Sequence, residues 1–260
     1  MTSEPQNTGP LSPRNQDSAD IYEAYRQAEN YLLYMKELGL GNLSLPLPPP
    51  PPSPARPPAE PEKARNLTEL ALFAEQCRLC PLGGRGPTYF GLGALNPPLM
   101  IIVDPPDLTG FYAAASDQNA PAPAWNFLGS EAAVLLGNII TKGIGLKIPE
   151  VYVTPILKCQ PENPELITQK TKNACFRNIS REIALVNPKT ILAMGLTAGQ
   201  VLTAETKKMY FLRPKTYTLN VPNPITLRIT LGLNLLLEDP GMKRDVWQDL
   251  QKTMRLAGLK

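Results

Sequence analysis

Beyond Asn66 the chain alternates short apolar runs with stretches of helical periodicity. The runs 98–104 (PLMIIVD), 151–157 (VYVTPIL), 190–195 (TILAMG) and 226–232 (TLRITLG) are set among helical patterns at 67–76, 130–144, 171–186, 197–205 and 245–258. A strand buried on both faces reads as a continuous apolar run, and parallel strands need crossover helices that cover those faces. Repeated β-α units of this kind restrict the region to an α/β fold with a parallel-core sheet covered on both sides. No internal repeat is visible.

The first 66 residues read differently. Residues 1–19 are polar, turn-forming and without periodicity, and are expected to be disordered. From Asp20, an N-cap residue type, Ile21, Ala24, Ala28, Tyr31, Leu32, Met35 and Leu38 recur at helical spacing up to Gly39, which predicts an amphipathic helix over 20–39. Ten of the sixteen positions from Pro46 to Pro61 are proline. The segment 40–66 is therefore expected to be a semi-rigid, polyproline II linker, and helix and linker together are a candidate protein-partner site.

The chain has no histidine, so any acid–base or metal chemistry must run without imidazole. Its net charge of +3 permits a nucleic-acid partner without requiring one. No segment has the pattern of a leader or a membrane span, so no membrane association is expected and a cytoplasmic location is. In that reducing compartment the four cysteines read as metal ligands or buried thiols rather than disulfides.

Cys77 and Cys80 form a Cys-x-x-Cys turn at the end of a helical pattern, while Cys159 and Cys175 lie within one strand–loop–helix unit. Four thiolates brought together by the fold suit either a [4Fe-4S] cluster or a structural zinc, and the spacing alone leaves both open.

The residues around these cysteines carry a resemblance. CRLCPL (77–82), YFGLG (89–93) and KCQPENP (158–164) with Cys175 beyond them are similar to the cluster-binding segments of the family 4 uracil-DNA glycosylases. NPKTILAMGLTAGQVL (187–202) and LLLEDPGMKRDVWQDLQ (235–251) are similar to that family's strand–Gly–helix and C-terminal segments, in the family's order. The resemblance covers 67–260. It implies a three-layer α/β/α sandwich with a mainly parallel central sheet, a [4Fe-4S] cluster on Cys77, Cys80, Cys159 and Cys175 with an architectural role, and DNA as partner.

It also implies a pocket that clamps a flipped base, reads its polar edge and stabilises charge developing on the departing base. Phe127 of NFLG stands where the family stacks a Phe on the base. Asp104 keeps a carboxylate where the family has a Gly-Glu-Ala-Pro-Gly loop whose acid positions or activates water, which makes it the candidate catalytic residue, although an Asp in this position also serves to cap a turn, and Asp107 replaces a glycine. Thr154-Pro155 replaces a Thr-Asn pair, so the amide that pairs with uracil is absent. Leu231, Gly232, Leu233 and Asn234 replace Tyr-His-Pro-Ser, leaving Asn234 as a candidate donor. An alternative register uses Asn223-Pro224 and makes Asn223 the donor.

Two readings follow from the resemblance: a glycosylase-like, cluster-bearing protein of base-excision repair type whose uracil excision is lost or altered, and an active divergent glycosylase for uracil or another damaged base. Lys243, Arg244, Lys252 and Arg255 could meet phosphates, or simply be solvated charges on a helix face.

Overall fold

The computed structural model describes residues 59–106 and 127–259. The expected 1–19 disordered segment, the 20–39 helix and most of the proline-rich linker lie outside the described residues, as does Asp107.

Six strands form one sheet: β1 (Leu92–Gly93), β2 (Leu99–Val103), β3 (Tyr152–Pro155), β4 (Thr190–Met194), β5 (Thr216–Val221) and β6 (Asn223–Thr230), in spatial order β1-β3-β2-β4-β6-β5. The inner pairings β3-β2, β2-β4 and β4-β6 are parallel, as the continuous apolar runs predict. The two edges are antiparallel, which makes the sheet mixed. Strand β5 has no counterpart among the apolar runs, although TYTLNV, bounded by Pro214 and Pro222, is rich in β-branched and aromatic residues.

Alternate residues of the central strands feed opposite faces. Leu99, Ile101, Val103, Val153, Leu192 and Met194 enter one apolar cluster, with α2 (Ser130–Asn138), α6 (Leu233–Glu238) and α7 (Lys243–Ala257). Met100, Ile102, Tyr152, Ile191, Ala193 and Ile229 enter the other, with α3 (Gln169–Val186) and α4 (Leu196–Thr203). Helices on both faces of one sheet make the three-layer α/β/α arrangement. Among the described residues no helix is long and apolar enough to cross a membrane.

Helix ends follow their caps. Asn66 accepts from the Glu69 N–H at 2.8 Å to start α1 (Leu67–Glu75), and Thr168 caps α3, which stops at Asn187 in the left-handed region. The 130–144 helical pattern is α-helical only to Asn138 and continues as a π-helical stretch, Ile139–Ile144. Packed structure also begins before Leu67: Pro61 and Ala64 are buried, Glu62 accepts from Arg177 at 2.7 and 2.8 Å, and Arg181 donates to the Ala64 carbonyl.

Candidate functional site

The parallel register aligns the ends of the inner strands. Pro155 pairs with Val103, Val103 with Met194, and Met194 with Thr230, so the chain leaves the sheet at one carboxyl edge. Ligands of open α/β sheets bind outside this edge, where loops diverge. Here it holds a pocket of about 290 Å³, floored by Val103, Asp104 and Met194 and walled by Leu128, Leu196, Met209 and the 231–235 segment.

Asp104 follows β2 directly and points at the start of α4. Its Oδ1 accepts from the Ala198 N–H at 2.9 Å, and the amides of Thr197 and Leu196 also favour its charged form. The carboxylate thus caps a helix whose own N-cap, Gly195, has no side chain to do so. Gly195 has φ +120°, and a Cβ there would overlap the Asp104 carboxylate, so glycine is required for this approach. Burial outweighs the amides and pushes the Asp104 carboxyl up to about 6.

The other candidates divide. Asn234 is exposed and lines the pocket beside Gly232. Phe127 is fully buried in the apolar cluster between the sheet and α2, α6 and α7, while its neighbour Leu128 lines the pocket. Asn223 opens β6 at the hairpin tip, paired with Val221. Seven strand steps separate it from Thr230, roughly 23 Å, so the register that made Asn223 a pocket donor is corrected: it stands at the opposite edge of the sheet. Pro155 ends β3 within the sheet, and neither it nor Thr154 lines the pocket. Lys243, Arg244, Lys252 and Arg255 are exposed on α7 and none lines the pocket.

The four cysteines converge elsewhere. Cys77 follows α1, its N–H donating to the Ala74 carbonyl, and Cys80 begins a turn closed by the Gly83 N–H. Cys159 is bridged to Thr88 beyond the end of β3, and Cys175 lies on the inner face of α3. All four line one small cavity with Lys158 and Asn178. Burial, reinforced by the neighbouring cysteines, pushes the Cys159 thiol up to about 11. Burial pushes Cys175 up to about 12, against the Lys158 N–H that donates to its Sγ at 3.3 Å. Among the described residues no three His, Cys, Asp or Glu side chains stand as a group able to hold a metal ion.

Beside this cavity lies a network that no sequence motif announced. Lys158 Nζ meets Glu182 Oε2 at 2.5 Å and donates to Thr154 Oγ1 at 2.7 Å, with both charged side chains buried. Glu182 Oε1 accepts from the Tyr152 hydroxyl at 2.9 Å, the Thr154 hydroxyl at 3.0 Å and the Gly91 N–H at 3.2 Å. Burial and this carboxylate push the Tyr152 phenol up, keeping it a donor. The legible signal was Glu182 itself, a charge on the stripe Cys175, Ile179, Ile183 and Val186 that faces the sheet.

Residues 90–251 match the family model of the uracil DNA glycosylase superfamily. The chain is 25% identical over 191 residues to a type-4 uracil-DNA glycosylase of Pyrobaculum aerophilum, covering 71% of this chain and 91% of the relative. It is 26% identical over 125 residues to one of Thermotoga maritima (48% and 59%) and 24% identical over 152 residues to one of Sulfurisphaera tokodaii (56% and 69%). With its α/β sheet and a pocket at the carboxyl edge, the chain belongs to the uracil-DNA glycosylase superfamily.

Proposed function

We propose that this chain is a DNA-binding, glycosylase-like repair protein whose uracil excision is lost or altered, and that Cys77, Cys80, Cys159 and Cys175 hold a [4Fe-4S] cluster. The observation that carries the first part is the lining of the carboxyl-edge pocket. Apart from Asp104 and Asn234, its side chains are apolar, and Gly232, which the resemblance matches to the family's histidine, brings no donor side chain to it. Losing one such donor typically costs about two to three orders of magnitude in rate. Asp104 is spent on the α4 amides, and Phe127 offers no open ring face for stacking.

The cluster reading is supported by the convergence of four thiols on one cavity and by the amide donor on Cys175. Thiols become good ligands once a cationic group displaces their protons, and a bound cluster would cross-link α1, the end of β3 and α3. Lys158 and Glu182 would then hold the backbone of the third ligand segment against the helix carrying the fourth.

Protein purified anaerobically is to be assayed for iron and sulfide and then incubated with uracil-containing single- and double-stranded DNA. Iron and sulfide with binding but no uracil release is the expected result. Release abolished by Asp104→Ala would overturn the loss of activity, and zinc without iron would overturn the cluster. The second reading, an active divergent glycosylase, is favoured by Asp104 and Asn234 sharing one pocket, and predicts release of a different damaged base.

A further inference from the structure

Between α4 and β5 the chain makes a single helical turn, α5 (Met209–Leu212), held down from its inner side. Leu212 is fully buried, and Met209 packs against both apolar clusters and lines the carboxyl-edge pocket. The next residue, Arg213, donates to Asp249 Oδ2 at 2.5 Å and pairs with Asp245 at 3.4 Å. With positions 209 and 212 turned inward, the two between them face out: Tyr210 is 80% and Phe211 56% exposed. Their rings stand edge to face, centroids 5.4 Å apart and planes at 84°. Aromatic side chains on a pinned turn that bury so little contribute little to the fold and mark a contact surface.

The charge around this pair selects the partner. Residues 204–216 hold Lys207, Lys208, Arg213 and Lys215 against one acid, Glu205, and because Arg213 is held by Asp245 and Asp249 the lysines are the outward cations. Glu205 is taken up by Lys207 at 2.8 Å, and Lys208 and Lys215 are exposed. Exposed aromatics interleaved with lysines suit a polyanion that also carries flat apolar faces.

Resting on the DNA reading above, we propose that Tyr210 and Phe211 form a stacking platform for unpaired bases of single-stranded DNA, with Lys208 and Lys215 meeting its phosphates. Base–aromatic stacking needs a free π-face, which single strands offer and an intact duplex withholds. The perpendicular rings buttress each other, so the platform is in place before DNA arrives. Because Met209 lines the pocket, strand held here runs past its mouth, where Leu196 and Leu235 are also exposed.

The test is fluorescence anisotropy of the full chain, purified with its native metal content, against a labelled oligothymidylate of about 20 nucleotides and a duplex of equal length. The double variant Tyr210→Ser/Phe211→Ser is expected to weaken single-strand binding about 10- to 100-fold, with duplex binding little changed. Lys208→Gln/Lys215→Gln is expected to lower the salt slope of single-strand binding by about 1.4, or roughly 0.7 for each phosphate left without its lysine. Since Tyr210, Phe211, Lys208 and Lys215 are exposed, melting should be unaltered. Wild-type single-strand affinity in the aromatic double variant would overturn the platform while leaving the DNA reading intact. A loss of self-association instead, seen by sedimentation, would overturn it in favour of a protein interface. Failure of the wild type to bind either DNA would overturn both readings.

Discussion

The cysteine cavity and the carboxyl-edge pocket use polar groups in opposite ways. Around the cysteines, buried charge is matched: Lys158, Glu182, Thr154, Tyr152 and the Gly91 amide form one network joining β3, α3 and the segment before β1. In the pocket, one carboxylate and one carboxamide stand in an apolar lining, and the carboxylate is engaged by a helix terminus. The contrast separates scaffold from chemistry. Interactions that hold segments together are dense where the cysteines meet and sparse in the carboxyl-edge pocket.

Loss of a thiol should break this comparison most severely. Cys175→Ser is expected to lose most of the iron and to fall out of solution or melt early, measured by iron analysis and calorimetry. Retention of full iron content would remove Cys175 from the ligand set.

Next in size is the buried pair. Glu182→Gln leaves Lys158 charged and without its counter-ion, at an expected cost of about 3–5 kcal/mol in urea unfolding. Lys158→Met/Glu182→Leu removes both charges and should cost much less. Equal losses in the two variants would show that packing, rather than charge matching, holds the cysteine segments.

Asp104 provides the third test. Its folded carboxyl lies near 6, above the 3.8 of an ordinary Asp, so the folded state binds the proton more tightly. Its contribution is therefore most favourable below about pH 4 and is lost as pH rises through about 6. The swing amounts to about 3 kcal/mol at most, at roughly 1.4 kcal/mol per pH unit. Asp104→Asn keeps an acceptor for the Ala198 N–H and should flatten stability between about pH 4 and 7 in thermal melts. An unchanged pH profile would place the titration elsewhere.

The smallest effect is expected from placing an imidazole in the pocket. Gly232→His adds an imidazole, but a Cβ there stands 3.3 Å from Gly195 Cα, and Phe127 remains buried. Uracil release should stay undetectable by gel assay. Measurable release from this single variant would show the pocket to be one residue short of activity, which sharpens the contrast differently.

Much of the fold was legible. The four inner strands sit where continuous apolar runs place them, because burial on both faces leaves no polar alternation to confuse the reading. Helix α7 was equally plain, with Val246, Leu250 and Thr253 buried on one face. The edge strands were harder. Residues Leu92–Gly93 pair only because Val153 and Tyr152 are presented to them, and a two-residue strand leaves no pattern. In the site, Asp104 and Asn234 were singled out by the resemblance, through the loop after β2 and the motif before the C-terminal segment, and both line the pocket. Met209 gave no signal, since it reaches the pocket through the path of a turn rather than any motif.

The sequence by itself determined the alternation of strand and helix, the four cysteines in their flanking motifs, and the absence of histidine. These are local properties, written in side-chain type and spacing. Only the tertiary structure decided that Asn223 stands at the far edge of the sheet, that Phe127 is sealed in the core, that Asp104 caps α4, and that Met209 lines the pocket while Tyr210 and Phe211 next to it stay exposed. Each depends on strand register and on which loops converge at one edge, contacts between residues far apart in sequence that no local pattern encodes.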